Sequence, residues 1–443
     1  MIRKRFLVSL ISIFGLGSIL TTLLFSNLGK DSELLQELTN VELVKEEDKF
    51  DLPKIKEEAR KAFETMNDYS FRIFSACTIG TGWVLDYEIP KEGHYPTTWY
   101  IATNAHVVNE FRFVDNPYGQ ELPIPAEDTK VLRNKYKNMG FSNLKLNNKT
   151  TCDASKNYGY FDLNLSKPEN GYQLKSNLGA IHNKKMKEPK LFYVPINFLE
   201  KDESVGIKEN NYRDFAVIEI EFINEDYARE ATRDFYSKYP VGSKDAINVF
   251  GAPLDKQKTW SQIENSIDNY YSLAYPQKKN DPFAYSINFD ESSGEASKLT
   301  KDRHGISDGK IVHGHVNAVT LESKWPFVMT EWNGKKLNSV GHFYLLENFS
   351  MPGGSSGALY IDKNGSILGI KRLGEWEVTN HSWVVPLRSS EIVKDGVIQS
   401  PAYDLILGGA PRQKTSYKQQ IERYGKKTFL SESGWKHSAL SLR

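Results

Sequence analysis

A turn of small residues, 353–357 (Gly-Gly-Ser-Ser-Gly), leads directly into an apolar strand that begins at Ala358. Glycines allow unusual backbone angles and close approach, and a Gly-x-Ser-Gly core is one way in which hydrolases present a nucleophilic serine. Ser355 and Ser356 are both candidates for that role. The turn taken alone is equally compatible with an ordinary glycine–serine loop, so a nucleophile is predicted only if partners for the serine exist.

Two possible partners stand at strand ends elsewhere in the chain. His106 follows the β-prone run 99–103, and Asp214 heads the apolar run 215–222. A histidine at a strand end is commonly just a half-buried structural residue, and an aspartate there commonly caps the strand. The alternative is that a buried Asp214 fixes the tautomer of the His106 ring, as the acid of a catalytic triad does.

The elements around these residues indicate a mainly β fold. Short β-prone runs at 71–74, 80–87 and 99–103 are separated by Gly, Pro and Asn, which predicts an antiparallel barrel or sandwich. Residues 358–370 predict a hairpin around Asn364-Gly365. A second barrel is expected to begin near residue 241. The polar regions 110–210 and 254–340 are interpreted as surface insertions.

The N-terminus predicts a membrane anchor. Arg3, Lys4 and Arg5 precede 20 uncharged residues, 6–25, which is long enough to cross a bilayer. A single-pass signal-anchor with the rest of the chain outside the cell is therefore expected, and a cleaved signal peptide with secretion is the alternative. No cysteine follows the apolar run, so lipid attachment there is not expected.

Composition removes other classes of function. The 443 residues carry 57 basic and 56 acidic side chains, so no net field favours nucleic acid. His313 and His315 share a strand face but lack a third ligand nearby, so neither a metal site nor a cofactor is predicted. Cys77 and Cys152 allow one disulfide, which the spacing leaves open.

The predicted organisation has five parts. They are a signal-anchor helix at 1–27, a charged helical stalk at 28–66, a first barrel at 67–240, a second barrel at 241–400 and a tail at 401–443.

The ordered set of His106, Asp214 and Ser356 resembles the trypsin-like serine peptidases. The matching segments are 80–84, 103–108, 214–218 and 354–358. The resemblance implies two antiparallel six-stranded barrels and a triad in which Ser356, directly before Gly357, is the nucleophile rather than Ser355. It also implies an oxyanion hole made by the backbone N–H groups of Gly354 and Ser356.

Specificity follows from the same resemblance. Enzymes of this type that cut after Lys or Arg carry an acid six residues before the nucleophile, where this chain has Ser350, so that specificity is not expected. The strand Ile370-Lys371-Arg372 is predicted to bind the substrate backbone by strand addition.

The Lys- and Asn-rich insertions, the segment 351–357 and the tail further resemble the mycoplasma immunoglobulin proteases. That family implies cleavage of antibody heavy chain at the cell surface, with a separate antibody-capturing surface protein as partner. One alternative is a general quality-control peptidase for surface proteins. A second is a catalytically inactive binding or adhesion module on the same fold.

Overall fold

Two antiparallel sheets of seven strands each form the framework. The computed structural model describes residues 52–74, 79–136, 164–168, 178–181, 185–259, 268–275, 284–287, 311–314, 331–346, 351, 353–374, 382–394 and 396–438. The chain from Lys56 onward is one compact unit. Within these ranges no helix is both long and apolar enough to cross a bilayer, and the predicted anchor at 1–27 lies outside them.

The first sheet contains all but one of the strands up to residue 221, in the order β5-β4-β1-β2-β3-β8-β6. The first eight strands are β1 Ser70–Phe74, β2 Ile79–Tyr87, β3 Thr98–Thr103, β4 Asn164–Pro168, β5 Leu178–Ile181, β6 Lys190–Tyr193, β7 Asn211–Tyr212 and β8 Ala216–Glu221. Strand β7 lies outside this sheet. The pairing of β3 with β8 sets Thr103 opposite Ala216. Since His106 and Asp214 follow and precede these two residues, the register brings the two side chains to one end of the sheet.

The second sheet has the order β10-β9-β16-β17-β18-β15-β11. Strands nine to eighteen are β9 Tyr270–Ala274, β10 Ala284–Ile287, β11 Ile311–Gly314, β12 Glu331–Trp332, β13 Lys335–Lys336, β14 Asn338–Ser339, β15 Phe343–Leu346, β16 Leu359–Asp362, β17 Ile367–Gly374 and β18 Ser382–Val385. Strands β16 and β17 form the hairpin that the Asn-Gly pair predicts. Its first strand starts two residues after Gly357, so the small-residue turn lies at the end of a buried strand.

Small elements complete the described chain. The last strands are β19 Arg388–Ser389, β20 Ile392–Lys394, β21 Val397–Ser400 and β22 Tyr403–Asp404. Strands β7 and β14 pair in parallel, with Tyr212 opposite Ser339. The helices are α1 Leu52–Tyr69, α2 Ala105–Val108, α3 Ala126–Tyr136, α4 Glu225–Thr232, α5 Phe235–Lys238, α6 Leu254–Gln257, α7 Tyr417–Arg423 and α8 Phe429–Glu432.

The described strands confirm a mainly β fold and leave two six-stranded barrels unconfirmed. Each sheet has seven described strands, and among the described residues no pairing joins its two outer strands. The regions interpreted as insertions also supply strands to the two large sheets, namely β4, β5 and β6 within 110–210 and β9, β10 and β11 within 254–340. These strands are only four or five residues long, which is too short for a clear alternating pattern to identify them in polar surroundings.

The described part of the predicted stalk packs against the second sheet. Helix α1 buries Ala59, Phe63 and Met66, which recur at helical spacing along one face. The Phe63 ring meets the ring of Tyr271 in β9 edge to face, with centroids 6.0 Å apart. Residues 28–51 of the stalk lie outside the described ranges.

The tail packs on the first sheet through a buried carboxylate. Asp86 in β2 is fully buried, and its Oδ1 accepts hydrogen bonds from the backbone N–H groups of Tyr87 (2.9 Å) and Leu430 (3.0 Å). Its Oδ2 accepts the hydroxyl of Tyr417 at 3.0 Å. Burial raises the pKa of Asp86 to about 7, although hydrogen bonds from Thr428, Leu430 and Tyr417 oppose that rise.

We expect Asp86 to make the stability of the fold pH-dependent. Its pKa is about 7 in the folded chain and about 4 in an unfolded one, so the folded state holds the proton more tightly. The free energy of unfolding should therefore fall as the pH rises from about 4 to about 7. In Asp86→Asn this component should vanish, which urea unfolding midpoints at a series of pH values would measure. The exposed Asp226→Asn is the charge-matched control; a variant slope equal to that of the wild type would contradict the assignment.

Candidate active site

A histidine and a buried aspartate are joined by two hydrogen bonds. His106 Nδ1 lies 2.7 Å from Asp214 Oδ2, and the backbone N–H of His106 donates to Asp214 Oδ1 at 3.0 Å. The Asp214 side chain is fully buried, whereas the His106 side chain is 31% exposed. Within the described residues Nε2 of His106 has no hydrogen-bond partner. The ring is thus held through one nitrogen and has the other available.

The local structure explains why these two groups meet. Helix α2 begins directly after β3 and directs His106 back toward β8. Asn104, the residue before this helix, is fully buried and its side-chain amide donates to the Asp214 carbonyl oxygen at 2.7 Å. Asn104 therefore fixes the backbone of the residue whose carboxylate orients the ring.

The charge environment keeps Asp214 ionised. Burial would raise its pKa, but the charge and hydrogen bonds of His106 and the charge of Arg372 lower it to about 2. Arg372 Nε lies 3.2 Å from Asp214 Oδ2. One carboxylate oxygen therefore faces both the imidazole and a guanidinium.

Gly357 fixes the position of the small-residue turn against the first sheet. Its φ is +87°, and a Cβ there would lie 2.1 Å from the Thr81 carbonyl oxygen and 2.5 Å from Thr103 Oγ1. The Thr81 N–H donates to the Ser356 carbonyl at 2.7 Å, and Thr103 Oγ1 donates to the Thr81 carbonyl at 2.8 Å. The turn is thereby tied to β2 and β3, three residues before His106.

The two serines of the turn differ in exposure. Ser355 is fully buried, and within the described chain its hydroxyl has no hydrogen-bond partner. Ser356 is partly exposed, and its hydroxyl donates to the Arg372 carbonyl oxygen at 3.3 Å rather than to His106. Gly354 has φ +90°, and among the described residues neither its N–H nor that of Ser356 donates a hydrogen bond.

The predicted substrate-binding strand is an interior strand of the second sheet. Ile370 pairs with Leu359 on one side and Val385 on the other. Lys371 N–H and carbonyl groups bond to Ala358 and Gly357. The backbone groups of Ile370 and Lys371 are therefore already paired within the sheet and offer no free edge to a substrate. Of the three residues predicted to bind the substrate backbone, only Arg372 remains a candidate, through its carbonyl beside Ser356.

Lys371 instead supports the turn from behind. Its side chain is buried, its Nζ donates to the Met351 carbonyl oxygen, and its own carbonyl accepts the Gly357 N–H at 2.9 Å. Burial lowers the pKa of Lys371 to about 7. The residue therefore contacts both ends of the segment that carries Ser355 and Ser356. Ser350 lies outside the described residues.

The contacts of Asn104, Lys371 and Arg372 with this site are not evident in the sequence. A usable signal does exist for two of them, because Lys371 and Arg372 interrupt an otherwise apolar strand pattern, Ile367 to Leu373. Charges inside such a run are buried only when partners await them. Nothing local distinguishes Asn104 from an ordinary helix cap.

On this mainly β chain, His106 is paired with the buried Asp214, and the turn that carries Ser356 is tied to β2 and β3. The model of the Mycoplasma immunoglobulin protease family matches residues 62–372. The chain belongs to this family.

The individual relatives have low sequence identity to this chain. An uncharacterized lipoprotein of Mycoplasma genitalium is 26% identical over 370 residues, which are 72% of this chain and 66% of the relative. A membrane-associated lipoprotein of Ureaplasma parvum is 23% identical over 411 residues, 78% of this chain and 48% of that protein.

A solved structure of the mycoplasma MIB and MIP proteins is similar in fold, with a TM-score of 0.50 and 15% sequence identity. The match covers 81% of this chain and 60% of that chain. This chain therefore spans between about half and two thirds of the length of these three proteins.

Proposed function

We propose that the chain is a serine endopeptidase with Ser356 as nucleophile, His106 as general base and acid, and Asp214 as the residue that orients His106. The observation that carries the proposal is the paired contact of His106 with the buried Asp214, at 2.7 and 3.0 Å. Membership of the protease family supports it.

The proposed reaction begins with a rotation of the Ser356 hydroxyl. At rest this hydroxyl bonds to the Arg372 carbonyl, and a change of side-chain rotamer would turn it toward Nε2 of His106. His106 then takes the proton as Ser356 attacks the peptide carbonyl, and returns it to the leaving amine. The N–H groups of Gly354 and Ser356 would stabilise the oxyanion.

Immunoglobulin heavy chain is the proposed substrate. The family description supports this choice. A separate antibody-capturing protein is the proposed partner, and the fold similarity to a structure that contains two proteins, MIB and MIP, supports the presence of a partner protein. A quality-control peptidase would instead cleave unfolded proteins but not native antibody. An inactive adhesion module would bind without cleavage.

We propose attachment to the outer face of the cell membrane through residues 1–27. The relatives are described as lipoproteins, one of them membrane-associated. This chain has no cysteine before Cys77, so the apolar segment 6–25 rather than a lipid is the proposed anchor.

Labelling with a fluorophosphonate tests the proposal directly. The full chain in detergent should be labelled and should cleave immunoglobulin, and Ser356→Ala should abolish both. Ser355→Ala is the matched control, because this neighbouring serine is buried, and it should retain labelling. Labelling that persists in Ser356→Ala would refute the nucleophile; labelling with cleavage of casein alone would favour the quality-control function.

A further inference from the structure

Arg372 contacts two members of the proposed triad at once. The register between β17 and β18 shifts between Lys371 and Leu373, so Arg372 has no partner in β18. An irregularity of this kind re-aims a residue out of the strand ladder. The Arg372 carbonyl accepts the Ser356 hydroxyl at 3.3 Å, while Nε lies 3.2 Å from Asp214 Oδ2.

The guanidinium of Arg372 is held in place from several directions. Its Nη2 donates to the Tyr212 hydroxyl at 2.7 Å and its Nη1 to Ser339 Oγ at 3.2 Å. Tyr212 and Ser339 are direct partners in the parallel pair β7–β14. The Phe343 ring covers one face at 5.3 Å, and Arg372 is only 4% exposed. The position of the charge next to Asp214 is therefore fixed.

A second buried arginine shows that the contact with Asp214 is not required for burial. Arg213 is fully buried, yet its guanidinium donates to the carbonyl oxygens of Val340 and His342, at 2.6 and 2.5 Å. Backbone carbonyls thus accept from both Nη groups of a buried guanidinium in this protein, and neither of these two hydrogen bonds involves a carboxylate. The carboxylate contact of Arg372 is a specific feature of the site.

The shared oxygen has a consequence for the histidine. Asp214 Oδ2 faces His106 Nδ1 at 2.7 Å and Arg372 Nε at 3.2 Å. A fixed positive charge beside the carboxylate offsets part of the field that stabilises protonated His106. Among the described residues, Arg213, Lys371 and Tyr212 also carry charged or titratable groups near this pair, and their side chains bond elsewhere, to carbonyl oxygens or to Arg372 itself.

We propose that Arg372 is a positioning residue of the triad, which fixes the Asp214 carboxylate, favours the neutral His106 ring and holds the Ser356 hydroxyl at rest. This inference rests on the proposed peptidase function. It implies that Arg372 extends the activity to lower pH than His106 and Asp214 alone would allow.

The pH dependence of kcat/KM in the full chain tests the role of the charge. In Arg372→Met the acid limb of the kcat/KM profile should move to higher pH by about one unit. The value of kcat should fall by about 10²-fold, because Asp214 and His106 lose their fixed orientation. Arg372→Lys keeps the charge but not the planar fork, so it should lose rate while the limb stays near its wild-type position. Arg213→Met is the matched control, and its acid limb should stay in place even if its stability falls.

Titration of the His106 ring by NMR gives a readout that needs no activity. The ring should titrate at higher pH in Arg372→Met than in the wild type. An unchanged titration, or an equal shift in Arg213→Met, would overturn the proposal. If Arg372→Met does not fold, Tyr212→Phe decides instead. This variant removes the hydrogen bond between Arg372 Nη2 and the Tyr212 hydroxyl, so the His106 titration should shift in the same direction by a smaller amount.

Failure of the two proposals is distinguishable. A wild-type chain that neither reacts with fluorophosphonate nor cleaves protein refutes the peptidase function, while the His106 titration still decides whether Arg372 sets the charge state of the ring.

Discussion

Replacement of Asp214 by Asn is expected to lower the rate of peptide hydrolysis by about 10⁴-fold. The Asp214 carboxylate accepts hydrogen bonds from the His106 backbone and the His106 ring, and it forms an ion pair with Arg372. An amide has only one accepting atom and no charge, so it cannot serve both His106 donors or pair with Arg372, and its NH₂ group favours the wrong tautomer of the ring. Initial rates on a peptide substrate at saturating concentration would measure the loss.

Asp202→Asn is the control for this experiment. Asp202 also pairs with an arginine, Arg412, at 2.9 Å, but within the described residues it contacts no histidine. Its replacement should leave the rate within a few-fold of the wild type. An Asp214→Asn chain with more than a tenth of the wild-type rate and a normal melting curve would show that His106 is oriented by another group.

The second large effect is expected for Gly357→Ala. The new methyl would overlap the Thr81 carbonyl, which lies 2.1 Å from the Cβ position, and the residue would keep a strained φ of +87°. Because the overlapped carbonyl belongs to the backbone of β2, it cannot rotate away as a side chain could. The serine turn therefore has to move. We expect a loss of at least about 10²-fold in fluorophosphonate labelling rate, with a lowered unfolding midpoint.

Two glycines of the same region separate the effect of the overlap with Thr81 from that of backbone strain. Among the described residues nothing lies within 4 Å of the Gly353 Cβ position, so Gly353→Ala should leave the unfolding midpoint nearly unchanged. Gly365 has φ +74° with open space around it, so Gly365→Ala reports backbone strain alone. If Gly357→Ala loses no more stability than Gly365→Ala, the contact with Thr81 is not what fixes the turn.

Local patterns predict the parts of the site that depend on neighbouring residues. The glycine–serine turn, the hairpin after it and the strand ends that carry His106 and Asp214 are all visible in short windows of sequence, and the structure pairs His106 with Asp214. The strands within 110–210 and 254–340 are not visible, because they are short and gain their stability from partners far away in the chain.

The same reason explains why the interior position of Ile370 and Lys371 is not visible in the sequence. An apolar strand beside the serine turn is compatible with a free edge or with an interior position, and only the pairing with β18 decides between them. The charges in that strand acquire meaning only from residues that lie more than a hundred positions earlier, such as Asp214 for Arg372. No window around residue 372 contains that information.

The packing of the tail on β2 implies an order in which parts of the protein fold. Asp86 meets Tyr417 and Leu430 across 331 and 344 positions of the chain. Contacts of such separation form late, since a long loop has to close before they contribute. We therefore expect the sheet that carries His106 and Asp214 to reach its final stability only after the residues near 430 have been synthesised and have packed on β2.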